Sequence, residues 1–119
     1  MATDLYKLSA GLVSAIDKFV LKVDQVINDN IKLNFSILPL KSHRIDWLSD
    51  KWCRIVDNED RIYAFVCLQD YSTKTLGVLK AGDIHRPASY RIPARHARGT
   101  VFDEKTWDCV GPYGVAYLR

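Results

Sequence analysis

Hydrophobic positions change period twice along this chain, and each change marks an expected element. From residue 4 to 28 the apolar residues Leu5, Leu8, Leu12, Ile16, Phe19, Val20, Val23 and Ile27 recur at steps of three and four. That spacing lays them on one face of an α-helix. Thr3 can cap its start, and Asp4 suits the positive end of the helix dipole. The polar run "NDN" at 28–30 supplies a stop. So narrow a stripe suits packing on the chain's own sheet or pairing with another subunit.

The pattern then turns to alternation. "IKLNFSIL" (31–38) sets Ile31, Leu33, Phe35 and Ile37 against Lys32, Asn34 and Ser36, which predicts a strand ended by Pro39. "KWCRIV" (51–56) and "RIYAFVCL" (61–68) read as a hairpin joined by a solvated turn, "DNED". The second of these is apolar on both faces and so belongs in the middle of a sheet. "QDYSTKT" is a polar turn, followed by a short strand, "LGVLK" (76–80). From Ala81 the periodicity fades, because Pro87 and Pro93 prevent a continuous helix or a central strand. A last short strand or ordered tail, "YGVAYLR", closes the chain. The expected class is α+β in one domain spanning 1–119: a long N-terminal helix (4–28) on a small antiparallel sheet (31–80), with an irregular C-terminal third (81–119).

Composition supports a folded domain and narrows its chemistry. The chain is 48% hydrophobic and 26% charged, with a formal net charge of +3. That charge is mild for a protein that coats DNA, whose affinity grows with each phosphate neutralised. Cys53, Cys67 and Cys109 are far apart and odd in number, which points to reduced core thiols rather than a zinc site or a disulfide scaffold. Asp4, Lys7, Asp17 and Lys18 interrupt any signal-peptide core, and no apolar run approaches a membrane span. A cytoplasmic protein is expected, with no membrane partner.

Catalytic patterns are missing: there is no glycine-rich phosphate loop, no nucleophile elbow and no histidine pair at metal spacing. His43, His85 and His96 are scattered. Neither an enzyme nor a cofactor or metal site is expected. The unusual feature is local. Four of the eight arginines, Arg86, Arg91, Arg95 and Arg98, fall in the fourteen residues from His85 to Arg98, with no lysine and no acid among them. Guanidinium is planar, permanently charged and able to fork two hydrogen bonds onto a phosphate. Pro87 and Pro93 stiffen the segment, so little entropy is lost in presenting these groups. Tyr90 stands among them, and Phe102, Trp107 and Tyr113 lie further along. Aromatic faces beside guanidinium groups suit a nucleotide. The competing reading ties the arginines to Asp83, Asp103 and Glu104.

The stretch also resembles the C-terminal signature of the phage Thoeris anti-defence sponge family, small proteins that capture cyclic ADP-ribose isomers made by bacterial TIR-domain immune enzymes. The residues that carry the likeness are "RPASY" (Arg86–Tyr90), "PARHARG" (Pro93–Gly99) and "GPYGVAYLR" (Gly111–Arg119), roughly the last third of the chain. Tyr90 stands where this group often has tryptophan, arginines replace lysines at Arg86, Arg91 and Arg95, and "LKAGDIH" lengthens the approach. The resemblance implies a phage protein of the host cytoplasm that sequesters the signal without turnover. It also implies dimers that assemble into a hexamer, and a separate site at a subunit junction for cyclic trinucleotides. On the matched positions it implies Tyr90 as a base or ribose platform, and Arg91, Arg95 and Arg98 as phosphate ligands; Phe65, outside the matched stretches, is a candidate for the pocket wall, with core packing the competing reading. Arg54 and Lys80, expected to be exposed on strands, are candidates for the second site. The alternatives are a small RNA- or single-stranded-DNA-binding module using the same arginines, or a virion assembly protein that meets an acidic partner.

Overall fold

The computed structural model describes residues 10–35, 37–89, 91–112 and 114–115. It is an α+β fold. One helix, α1 (Ala10–Asn34), lies across a five-stranded antiparallel sheet of β1 (His43–Trp47), β2 (Trp52–Asp57), β3 (Ile62–Cys67), β6 (Asp83–Pro87) and β7 (Pro93–Thr100), in the order β1-β2-β3-β6-β7. A short hairpin, β4 (Tyr71–Thr73) and β5 (Gly77–Leu79), is inserted between β3 and β6. After β7 come a 3-10 helix (Glu104–Cys109) and a last small pair, β8 (Val110–Gly111) and β9 (Gly114–Val115).

The stripe that predicted α1 is the stripe it buries: Leu12, Ile16, Phe19, Val20, Val23, Ile27 and Ile31. Burial of each such side chain contributes about 1.5–3 kcal/mol. Leu5 and Leu8, with the Thr3 cap and Asp4, lie outside the described residues. The helix also runs past the expected stop at 28–30. Ile31 comes four residues after Ile27 and so continues the buried stripe. Asn28, instead of ending the helix, clamps the returning chain through two 2.8 Å bonds to the backbone N–H and C=O of Lys41. The strand expected over 31–38 is therefore not formed: 31–34 is helical, and Leu33, Phe35, Ile37 and Leu38 are exposed. Alternation there has no sheet partner to reward it.

On the sheet the expected hairpin is present as β2 and β3, with β3 central. Its register pairs Cys53 with Val66 and Ile55 with Ala64, and Val66 pairs onward with Ile84 of β6. These residues meet α1 in the core, with Tyr63, Leu68, Val101, Trp107 and Val115. The joining turn is less solvated than "DNED" suggests. Asp57 is buried and accepts 2.9 Å bonds from the N–H groups of Glu59 and Arg61, while Asp60 takes the left-handed conformation that aspartate tolerates (φ 62°). Burial alone would push the Asp57 carboxyl up, but those two N–H bonds and the Lys41 ammonium hold it below its ordinary value.

Three further expectations are corrected. Part of "QDYSTKT" is strand β4 rather than turn. β1, "HRIDW", gives little apolar signal, yet it pairs along its whole length with β2. Most consequentially, the arginine-rich part of the C-terminal third is largely regular: β6 and β7 complete the main sheet, and the irregular backbone lies mainly after Thr100. The prolines end strands here instead of breaking one. Pro87 is the last residue of β6 and Pro93 the first of β7, and they face each other across the pair. β7 is an edge strand, where proline is tolerated.

The face of the sheet away from α1 carries a second cluster. Arg54, Phe65 and His85 lie side by side across β2, β3 and β6. Trp52 stands edge-on to both Phe65 (ring centroids 6.2 Å apart) and His85 (5.2 Å), and its Nε1 donates to the Tyr71 hydroxyl of β4. Gly82 (φ 92°) turns the chain into β6, and its missing Cβ leaves the place taken by the Phe102 ring.

Candidate functional site

The arginine-rich segment is a hairpin, closed where Ala88 N–H and Ser89 N–H bond to the Ile92 carbonyl at 2.8 and 3.1 Å. Arg91 is exposed in the connection, and Tyr90 lies outside the described residues. Arg95 and His96 are exposed on β7. The ladder between β6 and β7 is irregular in two places. Ile84 faces Gly99 while His85 faces Ala97, which leaves Arg98 as an extra residue. His85 faces Ala97 while Pro87 faces Pro93, which sets Ala94, Arg95 and His96 against Arg86 alone. Bulges of this kind on an edge strand re-aim side chains. Arg95, His96 and Arg98 all fall on them.

His85 holds the larger bulge. It is buried, and its Nδ1 lies 2.7 Å from the Ala94 carbonyl oxygen. A carbonyl only accepts, so Nδ1 carries the proton and Nε2 is an acceptor, without a partner among the described residues. Burial holds the imidazole below its ordinary value; the Ala94 bond and Asp83 oppose that shift, and Arg98 and His96 add to it. The unfolded chain therefore binds this proton more readily. The stability contributed by neutral His85 is complete above the unfolded value of about 6.5 and is lost as pH falls below it. Urea midpoints should fall between about pH 7 and pH 5, and fall less in His85→Gln. Asp57, whose value is also depressed, acts in a separate window below about pH 4.

Pairing separates the arginines into two groups. Arg44 meets Asp60 at 2.6 Å, Arg54 is bonded to Asp46, and Arg61 meets Glu59 at 3.3 Å. The guanidinium groups of Arg91 and Arg95, by contrast, have no carboxylate or other hydrogen-bond partner among the described residues. Two of the carboxylates expected to hold them bond elsewhere: Asp83 accepts from Lys80 N–H, and Asp103 caps the 3-10 helix through Lys105 N–H. Arg86 is half-buried with its Nη1 near Gly114, and Arg98 is half-buried and donates to the His96 carbonyl.

The structure thus brings Arg91 and Arg95 onto one hairpin with His96, and sets Arg98 deeper on the same strand. Phe65 pairs with His85 but is wholly buried, so it supports the hairpin from below instead of lining an open wall. Arg54 is not the exposed cation expected from its strand position: it is buried on β2 and held by Asp46, with Nε 3.1 Å from Oδ2. Lys80 is exposed, 3.9 Å from Asp70. Each of the two has a carboxylate of its own. Sequence reasoning passed over His85 and Trp52, whose roles depend on cross-strand neighbours; the aromatic content of "KWCRIV" was the only local sign.

Cys53, Cys67 and Cys109 are free and buried, and burial pushes the Cys67 thiol up to about 11 and Cys53 and Cys109 up as well. Among the described residues no helix is long and apolar enough to cross a membrane, and no group of His, Cys, Asp and Glu is placed to hold a metal ion. Comparison with family models, with curated proteins and with solved structures returned no match to this chain.

Proposed function

We propose that this chain is a phage anti-defence protein that binds a cyclic nucleotide immune signal of the cyclic ADP-ribose type and sequesters it without degrading it, so that the Thoeris effector is not activated. The observation that carries the reading is the contrast in pairing: Arg44, Arg54 and Arg61 each have a carboxylate, whereas Arg91 and Arg95 have none among the described residues and are exposed on a proline-bounded, bulged hairpin. Unpaired guanidinium groups held in place are suited to phosphates that pass between them. Tyr90, between Ser89 and Arg91 in sequence, is the proposed stacking platform, and Arg98 a supporting cation. Action is by mass action, which requires tight binding and protein near the concentration of the signal. The host cytoplasm, assembly of dimers into a hexamer and a second site for cyclic trinucleotides are parts of the same proposal, carried by the family resemblance.

The experiment is capture and release. The purified chain is incubated with the product of a TIR-domain enzyme, washed and heat-denatured, and the supernatant is analysed. Release of the intact nucleotide is expected. Release of an altered nucleotide would make the protein an enzyme, and release of nothing would end the proposal. Retention of generic oligonucleotides with a steep salt dependence, in place of the cyclic ligand, would favour an RNA- or single-stranded-DNA-binding module instead.

A further inference from the structure

Between α1 and β1 the backbone is pinned at several points. Phe35 N–H bonds to the Ile31 carbonyl and Leu38 N–H to the Phe35 carbonyl, both at 2.8 Å, and Asn28 holds Lys41 from both sides. A cleft of about 340 Å³ lies there, with Ile27 and Ile31 of the helix and Phe35, Leu38 and Pro39 after it as apolar walls. Ile27, Lys41, Arg61 and Pro112 line this cleft and also a second cavity of about 270 Å³, so the two spaces adjoin. The second is polar, with His43, Asp57 and Tyr63 on its walls.

The polar groups there are unequally engaged. Asp57 accepts from the N–H groups of Glu59 and Arg61 and faces the Lys41 ammonium at 3.5 Å. His43 donates its Nδ1 proton to Asp24 at 2.6 Å, since a carboxylate only accepts. The Tyr63 hydroxyl donates to the Gly111 carbonyl at 2.8 Å. Donors are left over. An ammonium has three N–H bonds to give and a guanidinium five. Yet among the described residues the Lys41 side chain meets Asp57 alone, and that of Arg61 meets Glu59 alone, at 3.3 Å in an exposed pair.

We infer that the joined cleft binds an amphiphilic carboxylate, a small molecule with one carboxylate head and an aliphatic tail. The head lies between Lys41 and Arg61, where the two spaces meet, and the tail covers Ile27 and Ile31. An ordered cavity with apolar walls and a few convergent polar groups is the usual form of a small-molecule site, and walls already fixed lose little entropy on binding. The surplus of donors calls for an anionic acceptor. A single charge fits better than a phosphate dianion, because Asp57 and Glu59 stand on the same walls and would repel the second charge. The exposed Arg61–Glu59 pair contributes little, so exchanging Glu59 for the ligand costs little. No residue of the arginine hairpin lines either space.

Calorimetric titration of the full chain with octanoate, octanol, octylamine and octyl phosphate compares four heads on one tail. Octanoate should bind saturably, one per chain, and the other three about tenfold more weakly or worse, the loss of one charge-assisted bond. Arg61→Gln and Lys41→Met should each weaken octanoate about tenfold and leave octanol unchanged, whereas Leu38→Gln should weaken both. Circular dichroism checks each fold, and Arg61→Gln, at an exposed side chain, decides the matter if Lys41→Met does not fold. Arg91→Ala with Arg95→Ala should leave octanoate binding unchanged, so failure here and failure of nucleotide capture are separate results. Absence of saturable octanoate binding, equal or reversed affinities among the four heads, or indifference of octanoate to Arg61→Gln overturns the inference.

Discussion

Replacing Phe19 by alanine should cost about 3–5 kcal/mol of folding stability, read as a lower urea midpoint with an unchanged slope. Phe19 is wholly buried at the centre of the helix stripe and meets Trp107 edge-on, with ring centroids 5.8 Å apart. Trp107 in turn donates from Nε1 to the Thr100 carbonyl at 3.0 Å, so the pair joins α1 to the end of β7. Truncation removes most of a large side chain and leaves a void that this bonded tryptophan cannot freely fill. A domain of this size has roughly 5–15 kcal/mol in total, so the loss would be a large share of it. Leu21, two residues away on the exposed face, is the control: Leu21→Ala should change stability by less than about 0.5 kcal/mol. Equal costs at the two positions would mean that α1 does not dock through this stripe.

The same stripe shows how far local pattern reaches. Every described residue named from its period is buried, because a face that must meet a sheet is written into three- and four-residue spacing. The end of the helix was not legible, because Asn28 finds its partners thirteen residues on, at Lys41, and no local rule anticipates that. Alternation misled at 31–38 for a related reason: it specifies a strand only where a neighbouring strand accepts one face. β2 and β3 were legible because both faces of β3 are buried, which leaves an unbroken apolar run. β1 was not, since its His43 is buried by a 2.6 Å contact with Asp24 of the helix, a distant partner for a polar residue. In β6 and β7 the two prolines hid the strands, because their position at paired strand ends is a fact of register. The candidate site divides in the same way. Composition picked out the arginines, but which of them are bound to carboxylates depends on who stands opposite: Arg54, expected to be exposed, is buried against Asp46, while Arg91 and Arg95 are exposed.

That distinction yields the largest expected effect on function. Removing both unpaired guanidinium groups, Arg91→Ala with Arg95→Ala, should weaken capture of the cyclic nucleotide by about 3–6 kcal/mol, or roughly 10² to 10⁴-fold in Kd, if each makes one charge-assisted bond to phosphate. Stability should move by less than about 0.5 kcal/mol, since neither group has a partner in the described fold to lose. Arg44→Ala, which breaks an exposed pair with Asp60, should leave capture unchanged. Lysine at 91 and 95 keeps the charge without the fork, so it should restore part of the affinity and increase its sensitivity to salt. Calorimetric titration of the four proteins with the purified signal separates these outcomes. If the double alanine variant binds as tightly as the wild type, the phosphates are held elsewhere, and the pairing contrast that supports the proposed function loses its meaning. If alanine at Arg44 weakens capture as much as the double change, binding tracks overall charge, and the hairpin is not a site.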